Sequence, residues 1–162
     1  MEHILNVPAD NEKLKELRAG DSVLLSGTVY TARDAAHKRI CEAMDRGEKL
    51  PFELSGSAVY YVGPTPSPES CCIGAAGPTT SGRMDAYSPR LLDAGLKIMI
   101  GKGGRSEAVK DAMRRNAGCI CKAESLAVTH LCAGRYLNFA FELIVQLKRF
   151  FSVIHCFSFS HA

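Results

Sequence analysis

No stretch before residue 119 is apolar and long enough to cross a bilayer, which excludes a membrane helix from most of the chain. Excess charge of either sign is also missing. Net charge is only +3 and evenly spread, which argues against nucleic acid as the main partner. The opening residues mix Glu2, Asp10, Glu12, Lys13, Lys15 and Glu16 and lack the apolar centre of a secretory leader. Seven cysteines cannot all pair within one chain, so a fully paired disulfide framework is excluded, and a reducing, cytoplasmic compartment is expected. Cys71-Cys72 are adjacent and Cys119-Ile120-Cys121 has one residue between, neither of which is zinc or iron–sulfur spacing. Tryptophan and internal repeats are absent as well. What remains is globular: 46% hydrophobic and 23% charged residues in 162, the length of one ordinary domain.

The chain changes character near Gly118. All seven prolines lie at or before Pro89, whereas four of seven cysteines and six of seven phenylalanines follow Gly118. Residues 1–118 carry the punctuation of an α/β domain. His3-Ile4-Leu5-Asn6-Val7 reads as a strand stopped by Pro8, with Asp10 or Asn11 capping a short helix. Ser22-Val23-Leu24-Leu25 and Thr28-Val29-Tyr30 read as strands with Gly27 as a bend between them. Thr31 is expected to cap the next helix, with Asp34 three residues on and Ala36, Ile40, Ala43 and Met44 as its apolar face. A strand at 58–62, a helix opened by Ser88-Pro89, a strand at 96–100 and a helix capped by Ser106 complete the pattern. Within 119–162, Phe139, Leu143 and Leu147 recur every four residues, so 137–147 is expected to be helical and to dock on the sheet. Glu142, Gln146, Lys148 and Arg149 interrupt 137–159, and each charge at the centre of a membrane helix costs about 2.5–3.5 kcal/mol, so no span is expected there. The stretch 150–159 has no clean period and is expected to pack poorly.

Three cationic loops sit at strand-to-helix boundaries. In Thr31-Ala32-Arg33-Asp34-Ala35-Ala36-His37-Lys38-Arg39, cations crowd a helix start, where each opposes the helix dipole at about 0.3–1 kcal/mol. The stretch is either an anion site or a solvated basic face with Asp34 as counter-ion and His37 on the helix surface. In Gly77-Pro78-Thr79-Thr80-Ser81-Gly82-Arg83-Met84-Asp85, small residues allow close approach, three hydroxyls supply donors and acceptors, and Arg83 offers a two-pronged grip on a carboxylate. The bland alternative is a flexible surface loop. In Gly101-Lys102-Gly103-Gly104-Arg105-Ser106 the Walker pattern fails, because Gly103 stands where Ser or Thr is required; Lys102 reads as a point charge at the carboxyl end of a strand. If the loops converge, Arg33, Arg83 and Lys102 suit a small polycarboxylate, without an acid–base pair or metal centre of their own. The residues look like half of an active site.

These three stretches, Gly27 through Arg39, Gly77 through Asp85 and Gly101-Lys102-Gly103, resemble the C-terminal domain of class I, iron–sulfur fumarate hydratase, a separate beta subunit in many organisms. They are similar also to the L(+)-tartrate dehydratase beta subunit. The resemblance covers about residues 4–116 and implies a swivelling β/β/α domain, related in architecture to the mobile domain of aconitase. It implies a hydro-lyase subunit interconverting (S)-malate and fumarate plus water, or dehydrating tartrate. It also implies a [4Fe–4S] cluster held by a partner alpha subunit, no metal ligand in this chain, and a higher-order hetero-oligomer. Arg33, Arg83 and Lys102 match residues that hold substrate carboxylates, and Thr79 matches the proposed catalytic base. The stretch 119–162 departs from the family, which continues with a Gly-Gly-Ala-Ala-Ala helix start that does not follow Gly118 here. The expectation is therefore a family-type domain over 1–118 and a divergent tail over 119–162. The alternatives for the tail are a genuine extension and a gene-model artefact, and for the whole chain a catalytic subunit and a non-catalytic remnant.

Overall fold

The computed structural model describes residues 2–65 and 76–121, and the backbone of 122, 133–139, 142–148 and 152–157. The chain opens with β1 (Glu2–Val7), α1 (Asn11–Glu16) and β2 (Ser22–Gly27). Asp10 caps α1, its side chain accepting from the Glu12 amide at 3.1 Å. At Gly27 the backbone turns through φ +119°, and β3 (Val29–Thr31) leaves in a new position instead of prolonging β2.

Next come α2 (Asp34–Asp45) and β4 (Ala58–Tyr60). A short 3-10 helix at Ser81–Met84 precedes α3 (Ser88–Asp93), with Pro89 in its first turn. Then follow β5 (Ile98–Gly101), α4 (Glu107–Asn116) and β6 (Cys119–Lys122). Three strands finish the chain: β7 (Ala133–Phe139), β8 (Glu142–Lys148) and β9 (Ser152–Phe157).

The nine strands among the described residues join one mixed sheet in the order β1-β2-β9-β6-β5-β4-β3-β8-β7. Its centre, β3 to β6, is parallel and steps one strand at a time through intervening helices, the pattern of repeated crossovers. Side chains alternate across these strands. Val59, Tyr61, Met99 and Ile120 enter a core with Ile40 of α2, Leu91 and Leu92 of α3, and Val109 and Met113 of α4. Their neighbours Ala58, Tyr60, Val62, Ile98, Ile100, Cys119 and Cys121 face a second core, built with Leu5, Leu14, Leu17, Val23 and Leu25 from β1, α1 and β2. The chain is therefore α/β, with the central parallel strands of its sheet buried on both faces.

Two expectations about the elements are overturned. Thr31 does not cap α2: it is buried in β3, and Arg33 stands at the cap position with no side-chain cap bond. The helix expected over 137–147 is replaced by β7 and β8, which pair antiparallel from Ala133↔Lys148 to Phe139↔Glu142. A four-residue step in a short apolar run also satisfies alternation, since Leu143, Val145 and Leu147 fall two apart; pairing partners decide between the two. Cys119–Lys122 continues the sheet as β6, beyond the composition break at Gly118. Among the described residues no helix is long and apolar enough to cross a membrane. The expected poor packing of 150–159 and the Cys71-Cys72 pair fall on side chains outside the described residues.

Candidate functional site

The parallel strands point their carboxyl ends the same way, and each of the three loops leaves from that edge. Ala32-Arg33 follows β3, the hydroxyl loop runs past the end of β4, and Gly101 through Ser106 joins β5 to α4. Backbone bonds extend the ladder beyond the strands. The Ala32 amide donates to Tyr60 O at 3.1 Å, the Tyr61 amide to Ile100 O at 2.8 Å, the Thr79 amide to Tyr61 O at 2.7 Å, and the Ser81 amide to Lys102 O at 2.8 Å. Thr80 and Lys102 form an isolated parallel bridge. Ser81 is seated so closely on β5 that a Cβ added to Gly101 would fall 2.2 Å from Ser81 Oγ. The sequence thus places its glycine where one loop rests on another.

Each expected site residue has a definite place. Thr79 is half-buried, its amide tied to Tyr61 O at 2.7 Å. Arg33, Arg83 and Lys102 are exposed at the sheet edge. Arg83 and the first loop meet directly: Nε donates to Asp34 Oδ1 at 2.9 Å and Nη2 lies 2.9 Å from Oδ2, a two-pronged pair. Asp34 is therefore a counter-ion, but to the arginine of the second loop. Among the described residues, Arg33 and Lys102 take part in no ion pair. Two of the three cations thus remain open to an anion, and the third is oriented by a carboxylate.

His37 is not on the helix surface. It is fully buried on α2 beside Ala36, Ile40 and Ala43. Its Nδ1 lies 2.8 Å from the Arg33 carbonyl, which must be the acceptor, so Nδ1 carries the proton. The Arg33 carbonyl also receives the His37 amide at 2.9 Å. The other nitrogen, Nε2, is buried with no hydrogen-bond partner among the described residues. Burial keeps the ring neutral and pushes its pKa down to about 4. The ring packs edge-on to Tyr61, centroids 5.2 Å apart.

Sequence reasoning missed the pair that ties the loops together underneath. Arg105 is buried, and its Nε donates to Asp85 Oδ1 at 2.7 Å. One terminal nitrogen donates to Ser88 Oγ at 2.7 Å, the other to Tyr61 Oη at 3.3 Å. Asp85 Oδ2 accepts the Ser106 amide at 2.6 Å, so this carboxylate also serves the start of α4, where negative charge complements the helix dipole. Ser88 Oγ passes its own proton to Met84 O at 2.9 Å. The network joins the hydroxyl loop, the start of α3, the end of β4 and the lysine loop. No spacing announces it. Asp85 and Arg105 both belong to the stretches read as ligand loops, and nothing local tells an inward arginine from an outward one.

Among the described residues, no group of three His, Cys, Asp or Glu side chains could hold a metal ion. Cys119 and Cys121 are buried in β6 and Cys41 is half-buried on α2. The described donor set does not fit a [4Fe–4S] cluster.

Residues 2–127 match the family described as Fumarase C-terminus. The chain is 43% identical over 108 residues to fumarate hydratase 2 of Leishmania major, covering 66% of this chain and 19% of that protein. It is 41% identical over 108 residues to the aerobic class I fumarate hydratase of Salmonella typhimurium, again 66% of this chain and 19% of the other. To the L(+)-tartrate dehydratase subunit beta of Escherichia coli it is 31% identical over 118 residues, 71% of this chain and 57% of that subunit. The chain therefore spans about a fifth of the length of the fumarate hydratases it matches.

Proposed function

Because the chain belongs to the fumarase C-terminus family, we propose that it is the carboxylate-binding half of a hydro-lyase that interconverts (S)-malate with fumarate and water. The observation that carries this reading is the gathering of Arg33, Thr79, Arg83 and Lys102 on loops at one edge of the parallel sheet, bonded to each other through Asp34–Arg83 and Thr80–Lys102. In this reading Arg33 and Lys102 take the substrate carboxylates, Arg83 is held ready by Asp34, and Thr79 removes the proton on the carbon next to a carboxylate. A threonine hydroxyl is a very weak acid, so that role requires positive charge around it and little water. Three cations within neighbouring loops supply such a field once the site closes.

The remainder of the enzyme, including a [4Fe–4S] cluster, belongs in this proposal to an alpha subunit or domain outside this chain, in a higher-order hetero-oligomer in the cytoplasm. The family-type unit is proposed to occupy 1–118 as a swivelling β/β/α domain, with 119–162 as a diverged continuation. A second reading is tartrate dehydration, favoured by the match to a beta subunit of which this chain covers the larger share.

The test is reconstitution with an alpha subunit. Turnover of (S)-malate should need both parts, and Thr79→Ala should lower kcat by about a hundredfold or more while the complex still assembles. Arg33→Lys and Arg83→Lys keep the charge but lose the planar fork and should weaken substrate capture. Near-normal turnover by Thr79→Ala would remove Thr79 as the base. Tartrate consumed in place of malate selects the second reading.

A further inference from the structure

Arg33 is held at its backbone by His37, with two donors on one carbonyl at 2.9 and 2.8 Å. Its side chain is held by something else. Past the end of β4, the chain runs beneath the Arg33 guanidinium at Gly63. A Cβ built on Gly63 would lie 2.9 Å from Arg33 Cζ, 2.9 Å from Nε and 3.2 Å from one terminal nitrogen; all three nearest atoms belong to this one side chain. Real Cβ atoms do not approach so closely. Gly63 does not have the left-handed φ that marks Gly27, Gly47 and Gly95, so its φ does not single out glycine. The space at Gly63 is filled by the arginine resting on it, and the φ of the loop does not call for a glycine there.

We propose that Gly63 is a positioning residue: its missing side chain is the seat on which the Arg33 guanidinium rests, fixing the direction of that fork toward the substrate carboxylate. The inference rests on the reading of Arg33 as a carboxylate-binding group. A methyl at this point strikes the far end of a long, rotatable side chain instead of backbone. The chain relieves the clash by swinging the guanidinium away, which leaves packing intact. A two-pronged grip tolerates such a swing poorly, because both donors must keep their angle to the carboxylate. Gly63 acts through Arg33 and need not touch substrate.

The experiment is a double-mutant cycle in the complex reconstituted with the alpha subunit, using (S)-malate. Gly63→Ala should lower kcat/KM by about tenfold, mainly through KM, since displacing a positioned group by an ångström is enough for such losses. Its melting temperature should stay at the wild-type value. Arg33→Ala should lower kcat/KM at least as far, and adding Gly63→Ala to it should cost nothing more. On the isolated chain, the Arg33 Nε–H resonance should shift in Gly63→Ala, a readout independent of activity. If Arg33→Ala leaves capture intact, the carboxylate reading fails and the seat with it. If Arg33→Ala impairs capture while Gly63→Ala does not, only the seat fails. Equal losses from Gly63→Ala with and without Arg33 would show that the glycine serves the fold, which also overturns the proposal.

Discussion

A neutral histidine fully buried under a cationic loop sets up a dependence on pH that can be worked out from one side chain. His37 has a pKa near 6.5 in the unfolded chain and about 4 in the folded one, because burial disfavours the charged ring. Above pH 6.5 neither state protonates it, and its burial costs nothing on that account. As pH falls below 6.5, the unfolded chain binds a proton that the native state refuses. Stability contributed by the neutral ring is therefore lost between about pH 6.5 and pH 4, by at most roughly 3 kcal/mol. His37→Gln removes the titrating group and leaves the His37 backbone amide to bond the Arg33 carbonyl. The urea midpoint of the wild type should fall more steeply between pH 7 and pH 4 than that of His37→Gln. Parallel curves would mean that the ring titrates in the folded state too.

Elements are joined at the site by two arginine–carboxylate pairs of similar geometry and different worth. Arg83–Asp34 is solvent-exposed, and such pairs contribute about 1 kcal/mol or less. Arg105–Asp85 has its guanidinium buried, and removing one partner of a buried pair costs about 3–5 kcal/mol because the other is left uncompensated. Arg105→Met should therefore destabilise the chain far more than Asp34→Ala in urea denaturation. Arg105→Lys should rescue only part of the loss, since an ammonium cannot reach Asp85, Ser88 and Tyr61 at once. Equal destabilisation by Arg105→Met and Asp34→Ala would deny the network its structural role.

The contrast explains what was legible in the sequence. Pro89 at a helix start, the apolar face of α2 and the three cationic loops are local signals, and local rules read them. Arg105, His37 and Thr31 are polar residues turned inward, and their burial depends on partners 17 to 44 residues away or on the neighbouring strand. The terminal strands escaped for the same reason. β8 is strand because Val29 and Tyr30 of β3 offer it an edge at Leu147 and Gln146, a contact no window of sequence contains.

Over the whole molecule, the last strand in sequence is not last in space. β9 lies between β2 and β6, antiparallel to both, pairing Ser22↔His155 through Leu25↔Ser152 on one side and Ile120↔Phe157 through Lys122↔His155 on the other. It is the strand that pairs with both β2 and β6, and so joins β1–β2 to the parallel strands that carry the loops. Without it, β2 and β6 become unpaired edges, and among the described residues the two parts adhere mainly through the apolar core that they share, with the Ala9 amide bonded to Gly56 O at 2.7 Å. A chain ended after Lys148 loses β9 and should unfold at a markedly lower temperature, over a broader transition, with dye-binding apolar surface exposed. A chain ended after Phe157 keeps β9 whole and should melt with the full-length protein. Limited proteolysis sharpens the comparison: in the full chain, Lys148 should be cut more slowly while β9 is paired than after a destabilising change in β6, such as Ile120→Asp. If the chain ended after Lys148 melts cooperatively at the full-length temperature, β9 is not a structural member of the sheet, and the folded unit closes without it.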